Sequence, residues 1–271
     1  WSVAPDCRRL EFNGLRSENS KLKDLKSPRE RFYRRWLQVG DRTAFRVTVK
    51  ETDLYIQADK PLAKIARESV LQQRSYIESY GERHPEFLTT LQPWRHRGPN
   101  APIVGAMIAA SIAAGVGPMA AVAGAVAEQV GRELCRHSRE VVVENGGDIF
   151  VCTRKPLTMG VFAGHSPLSM QVGIRIGGDL KPVGVCTSSG TVGHSLSRGS
   201  ADAVCVVAAD CSRADAVATA VGNRVRRPAD LQPALDFARS IDGIDGLLVI
   251  LGKRIGCWGG IELVALDADR P

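Results

Sequence analysis

The 271-residue sequence predicts an α+β fold, with mixed or antiparallel sheets packed against long helices in a single main domain. Three observations lead there. Short alternating runs pair off as hairpins, several helical segments carry one apolar face, and the two kinds of element do not alternate in the regular β-α-β order of a parallel doubly wound sheet. The content of hydrophobic residues is 44% and of charged residues 24%, which suits a globular chain and excludes disorder as its main state. The excess of basic charge is local. Residues 1–50 hold 13 Lys or Arg against 6 Asp or Glu, so the whole net charge of +7 lies there and the rest of the chain is neutral.

Residues 1–30 are polar and aperiodic, and read as a flexible basic tail ahead of a domain spanning 31–271. Phe45 to Val49 and Leu54 to Ile56 form a hairpin signature. From Pro61 to Tyr80, Leu62, Ile65, Ala66, Ser69, Val70 and Ile77 recur at helical spacing on one face. Residues 83–102, with four prolines, read as a loop. Gly98 to Ala127 is a run of 30 residues without a charge, long enough on count to cross a bilayer. Eleven of the 30 are Ala and none is Leu or Phe, and Gly115 to Pro118 breaks the run. Two buried helices, near Ile103 to Ala114 and from Pro118 to about His137, account for it better than a span.

Strands are then expected at Val141 to Val143, Ile149 to Val151, Gly160 to Ala163, Gln171 to Ile176, Gly184 to Thr187 and Val204 to Ala208. A helix follows from Ser212, as N-cap, to Asn223, with Ala214, Val217, Ala218 and Val221 on its apolar face. A weaker helix from Pro233 to Arg239 precedes strands at Leu247 to Leu251 and Ile261 to Leu266. Seven cysteines are scattered, with no C-x-x-C pair, which argues against a disulfide framework or a zinc site and for a reducing compartment.

Three constellations have the residue types for chemistry. In Glu144-Asn145-Gly146-Gly147-Asp148, two glycines between apolar β runs let a ligand approach backbone N–H groups, with acidic neighbours for ribose hydroxyls or a metal. A tight turn or bulge needing only the glycines explains the same residues. Thr187-Ser188-Ser189-Gly190, followed by His194 and Arg198, offers hydroxyl and backbone donors for a phosphate. A flexible polar loop explains it equally, whereas a serine hydrolase would need a G-x-S-x-G elbow that is missing. In Ala214 to Ala220, Asp215 and Thr219 stand at i and i+4 on one helix face, two oxygen donors of the type Mg2+ takes. A dipole-favoured Asp and a hydroxyl bonded back to a carbonyl would also explain that pair.

The order of these three blocks resembles the ApbE-like superfamily, whose best-known members are FAD:protein FMN transferases. In that family a Gly-Gly-Asp or Gly-Gly-Asn step follows a strand, a Ser-Gly turn comes next, and an Ala-Asp-Ala-Leu-Ser-Thr-Ala helix follows; here these are similar to Gly146-Gly147-Asp148, Ser189-Gly190 and Ala214 to Ala220. The family's Gly-Ala-Ile-Ala-Lys-Gly-Tyr-Ala-Val-Asp helix start is echoed by Met119 to Glu128. The resemblance covers roughly Gly117 to Asn223. It implies a T-fold-related α+β domain that binds FAD, or another flavin or nucleotide, with Mg2+. It also implies metal donors at Asp215, Thr219 and the carbonyl of Ala120. Gly124, Asn145, Gly146, Gly147, Asp148, Thr187, Ser188, Ser189, Gly190 and Arg198 would line the nucleotide site, and His194 would be the base or a phosphate contact.

The resemblance further implies a hydroxyl acceptor, a protein among the candidates. The cysteine usage points to the cytoplasm, the composition of the uncharged run argues against a membrane span, and nucleic-acid binding through the basic N-terminal arm is a third reading that the neutral body of the chain disfavours. The chain departs from the pattern at Ala123, where the family has Lys, at Ala125, where it has Tyr, and at Ser197, where it has Asp. It therefore reads as a divergent branch. A binding protein that has lost the transfer step is the alternative, for a flavin, a pterin or another nucleotide.

Overall fold

A computed structural model describes residues 42–96, 98–190 and 199–266. The tail of residues 1–30, like His194 and Arg198, lies outside them. An eight-stranded antiparallel sheet is the centre of the molecule. Its strands are β1 (Thr43–Val49), β2 (Thr52–Ala58), β3 (Val141–Asn145), β4 (Asp148–Cys152), β7 (Val183–Ser188), β8 (Ala203–Ala208), β9 (Ile244–Leu251) and β10 (Arg254–Gly259), in that spatial order. Between β4 and β7 the chain leaves the sheet to make β5 (Leu157–Gly160) and β6 (Val172–Ile176), which pair with β11 (Glu262–Ala265) in a separate three-stranded sheet.

Side chains alternate across a strand, so the large sheet has two faces to cover. On one face Val143, Phe150, Cys186, Val204 and Val206 meet the helices in the larger apolar core. On the other, Val142, Ile149, Val151, Val185 and Cys205 meet Leu157, Met159, Ile174 and Leu263 of the small sheet. The helices are α1 (Ala63–Arg83), α2 (Pro85–Thr89), α3 (Pro102–Ala114), α4 (Val122–Leu134), α5 (Cys211–Gly222) and α6 (Leu231–Arg239).

The uncharged stretch folds as two helices, as its glycines and proline predict. Gly115 ends α3 in the left-handed conformation, with φ of 70°. The chain then bends by 107° into a 3-10 turn at Pro118–Ala121 that runs into α4. Among the described residues no single helix is long and apolar enough to cross a membrane, although this bent pair passes on length and composition. Its residues Ile103, Val104, Met107, Ala125, Ala127 and Val130 are buried in the larger core. The Oγ of Ser111 holds the bend, donating to the carbonyl of Val116 at 2.6 Å and accepting from the N–H of Trp94 at 3.1 Å. Ser111→Ala leaves both groups without a partner and is expected to cost about 1–3 kcal/mol in urea unfolding. An unchanged midpoint would contradict this account of the bend.

Several sequence expectations are corrected. The loop at 83–102 contains the short helix α2, which begins at a proline. The third strand of the second half lies at Leu157–Gly160, three residues before the expected run; its pairing with β6, from Leu157 opposite Ile176 to Gly160 opposite Gly173, defines it, while Val161 and Ala163 reach the same core from beyond its end. The helix expected to start at Ser212 is capped instead by Asp210, whose side chain accepts from the N–H of Arg213. Strand β10 was not expected: Arg254, Gly256 and Gly259 dilute its pattern, and its pairing with β9 defines it. Five cysteines, at 135, 152, 186, 205 and 211, are free. Cys257 is disulfide-bonded, which spacing along the chain could not foretell.

Candidate functional site

The N-termini of α4 and α5 meet on the helix face of the large sheet and complete each other. Helix α4 begins after Ala121, whose side chain has nothing to offer the first free N–H groups of the helix. Asp215 of α5 does this from outside: its Oδ2 accepts from the N–H of Gly124 at 2.9 Å, and the N–H of Ala123 also bonds to this carboxylate. These are the second and third helical positions, the ones an N-cap residue normally serves. In return Glu128 of α4 accepts the N–H of Cys211, the first residue of α5, at 2.9 Å. Its other oxygen is held by Arg132.

Gly124 permits the contact. A Cβ there would overlap the carbonyl oxygen of Cys211 and lie 2.9 Å from the Cβ of Asp215. Sequence reading singled out Gly124 and Asp215 for a ligand. It missed Glu128 as a cap, and the available signal was a lone carboxylate in the apolar helix between Ala127 and Val130.

The sheet supplies the floor. Asn145 and Asp148 are cross-strand partners at the β3–β4 turn, and Gly146 and Gly147 make that turn with φ of 70° and 110°. Both side chains face the helices. The Nδ2 of Asn145 donates to the carbonyl of Ala123 at 3.0 Å, pinning the start of α4 to the turn. Glu144 faces the other way and accepts the N–H of Gly147 at 3.0 Å, so the acidic block is partly structural.

Helix α5 lies along β7. Cys211 sits beside Gly184, and its carbonyl accepts from the thiol of Cys186 at 3.3 Å, while Gly222 at the other end approaches Gly199. Asp215 and Thr219 are thereby set over the stretch from Cys186 to Ser188. Asp148 pairs with Cys186 in the sheet and shares its face with Phe150. Ser188 shares the face of Cys186, two residues on.

Two polar atoms at this place have no ordinary hydrogen bond among the described residues: Oδ1 of Asp148 and Oγ of Ser188, in residues only 6% exposed. A buried polar group without a partner is costly and uncommon. Thr219 is half-buried. Burial pushes the carboxyl of Asp215 up to about 7, against the opposing pull of the Gly124 and Ala123 amides. Burial pushes Asp148 well above the usual carboxylate range, and the neighbouring charges of Asp215 and Glu144 add to it. No described base neutralises the pair.

The remaining sequence candidates fall around this centre. Ala120 lies in the 3-10 turn, half-buried, against which α5 also packs. Thr187 faces the opposite side of the sheet, towards Cys205. Ser189 and Gly190 follow the end of β7, and the N–H of Gly190 donates to the carbonyl of Ala201.

Among the described residues no group of three or more His, Cys, Asp or Glu is arranged to hold a metal. What converges is two carboxylates with neutral oxygens, a donor set that suits a hard cation such as Mg2+ and not zinc. The two orphaned buried oxygens fit such an ion.

This architecture is that of the ApbE flavin transferases. The flavin transferase ApbE from Vibrio cholerae superposes with a TM-score of 0.54 at 11% identity, over 84% of this chain and 98% of the other. The apo flavinyl transferase ApbE of Pseudomonas stutzeri gives 0.50 at 14% identity, over 84% and 95%. More specifically, the family model described as AbpE bacteria matches residues 34–247, and the chain belongs to that family, a divergent ApbE-like branch. A UPF0280 protein of Methanococcus aeolicus is 40% identical over 230 residues, covering 82% of this chain and 92% of its own length. Another, from Methanosphaerula palustris, is 42% identical over 224 residues, covering 81% and 92%.

Proposed function

We propose that this protein binds a flavin or related nucleotide through Mg2+ at the junction of α4, α5 and the β3–β4 turn, and transfers FMN from FAD to a hydroxyl acceptor. The observation that carries the reading is the pair of buried oxygens, on Asp148 and Ser188, that have no hydrogen bond among the described residues, on the sheet face against which α5 packs. Asp215, Thr219 and the carbonyl of Ala120 would hold the ion. Once bound, it would neutralise charge on the phosphate oxygens of the nucleotide.

The chain's own residues do the rest. Asn145 and Gly124 fix the start of α4, so that its carbonyls and the carboxylate of Asp215 keep one geometry. Ser188, with Ser189 and the amides of the Gly146-Gly147 turn, offers donors to phosphate. In the transfer the acceptor oxygen bonds to the phosphorus of the FMN half, the pyrophosphate bond breaks, and AMP leaves. The acceptor's proton passes to a base, for which His194 is the sequence candidate.

Ala123 and Ser197, in place of the family's Lys and Asp, favour a second reading, in which the site binds the nucleotide without transfer. Incubation with FAD and Mg2+ separates the two. AMP release with an FMN-labelled acceptor supports transfer. Metal-dependent thermal stabilisation by FAD without AMP supports binding alone. Stabilisation by FAD that needs no metal and survives Asp215→Ala would contradict both.

A further inference from the structure

The geometry points to Asp148 as a second carboxylate ligand of the same divalent cation that Asp215 would hold, an inference that rests on the cation site proposed above. The sequence pattern offers the acidic residues beside Gly146-Gly147 to a ribose or to a metal without choosing between Glu144 and Asp148, and the family resemblance places Asp148 only in the nucleotide lining. Its position in the sheet decides. Asp148 is the first residue of β4, is 6% exposed, and shares the helix-facing side with Asn145 across β3 and Cys186 across β7. Both neighbours are tied to the two helices that carry the site. Asn145 bonds to the carbonyl of Ala123, next to Gly124, which bonds to Asp215. Cys186 bonds to the carbonyl of Cys211, one helical turn before Asp215.

Asp148 therefore faces the two helix starts, and Asp215 is the charged group that affects it most. The thiol of Cys186 and the amide of Thr187 bond to its carboxyl, yet among the described residues its Oδ1 has no hydrogen bond, and neither has the Oγ of Ser188 on the same face. A structural aspartate in a turn spends both oxygens on local donors, as Asp230 does by accepting the amides of Arg226 and Arg227 on Oδ2 and the Nε of Arg227 on Oδ1. Among the described residues no Lys or Arg neutralises Asp148. A divalent cation would satisfy both carboxylates at once, one from the sheet and one from the helix, with Thr219 and Ser188 as neutral oxygens around it.

The test uses Mn2+ alone, without nucleotide, on the full chain, with calorimetric titration and thermal shift as readouts. The variants are Asp148→Asn, which keeps shape and removes the charge, Asp215→Asn, and wild type. The expected result is that Asp148→Asn weakens Mn2+ binding at least about tenfold while the metal-free protein melts no lower than wild type, because the amide has the shape of a carboxyl that burial already holds against ionisation. Wild-type Mn2+ affinity in Asp148→Asn overturns the inference, and if Asp215→Asn has lost binding the cation site itself still stands. Absence of Mn2+ binding by wild type overturns both. Should Asp148→Asn fail to fold, an anomalous difference map of the wild type with Mn2+ decides: an ion within coordinating distance of both carboxylates supports the inference, and an ion on Asp215 away from Asp148 refutes it.

Discussion

Gly124→Ala is expected to destabilise the protein by about 2–4 kcal/mol, although Ala is the better helix former by about 1 kcal/mol. The added methyl would overlap the backbone oxygen of Cys211, which α5 cannot withdraw without moving away from α4. Separation breaks both reciprocal caps, the one from Asp215 to Ala123 and Gly124 and the one from Glu128 to Cys211. Each cap contributes about 1 kcal/mol, so overpacking plus one lost cap already exceeds the gain in propensity. Urea unfolding measures the difference. A stabilised variant would mean that the two helices do not touch at this residue. The same variant should also lose the thermal response to Mg2+, since the carboxylate and the carbonyls around it would no longer converge.

The pH dependence of Asp215 should be the second large effect. Its carboxyl sits at about 7 in the folded protein, above its ordinary value of 3.8, because burial disfavours the charge. A raised carboxylate favours the protonated folded form. The stability it contributes is therefore complete below about 4 and is lost as pH rises towards 7. Without divalent cation, melting temperature should fall over that window, and Asp215→Asn should flatten the fall. A bound cation needs the deprotonated group, so apparent Mg2+ affinity should rise at least about tenfold per pH unit below 7. Thermal shifts with and without Mg2+, between about pH 5 and pH 8, read both slopes. A pH-independent Mg2+ response would remove Asp215 from the site.

Much of the fold is legible in the chain because it depends on local pattern. The first hairpin, the helix from the early sixties, the Gly-Pro break and the strands around Val142, Val151 and Val206 all follow from periodicity and turn chemistry. Strand β10 and the exact placement of β5 depend on pairing with distant strands, which no local window contains. The site divides in the same way. Asp215 and Thr219 are legible as a pair because i and i+4 is a local relation. That Asp215 caps a helix 91 residues earlier, and that Thr187 and Ser188 look to opposite faces, are decided by tertiary placement. The orphaned Oδ1 of Asp148 is of the same kind: a turn aspartate and a buried one have the same letter.

The crossed caps also bear on when the site comes into being. Helix α4 is synthesised and could form long before α5, but its first amides remain without acceptors until residue 215 arrives, and the first amide of α5 waits on Glu128 in turn. Strands β3, β4, β7 and β8 separate the two and must pair first to bring them together. Contacts so remote in sequence close late, after their loop entropy has been overcome. A nascent or half-folded chain thus carries the oxygen donors scattered over separate segments, and cation recognition arises only with the finished domain.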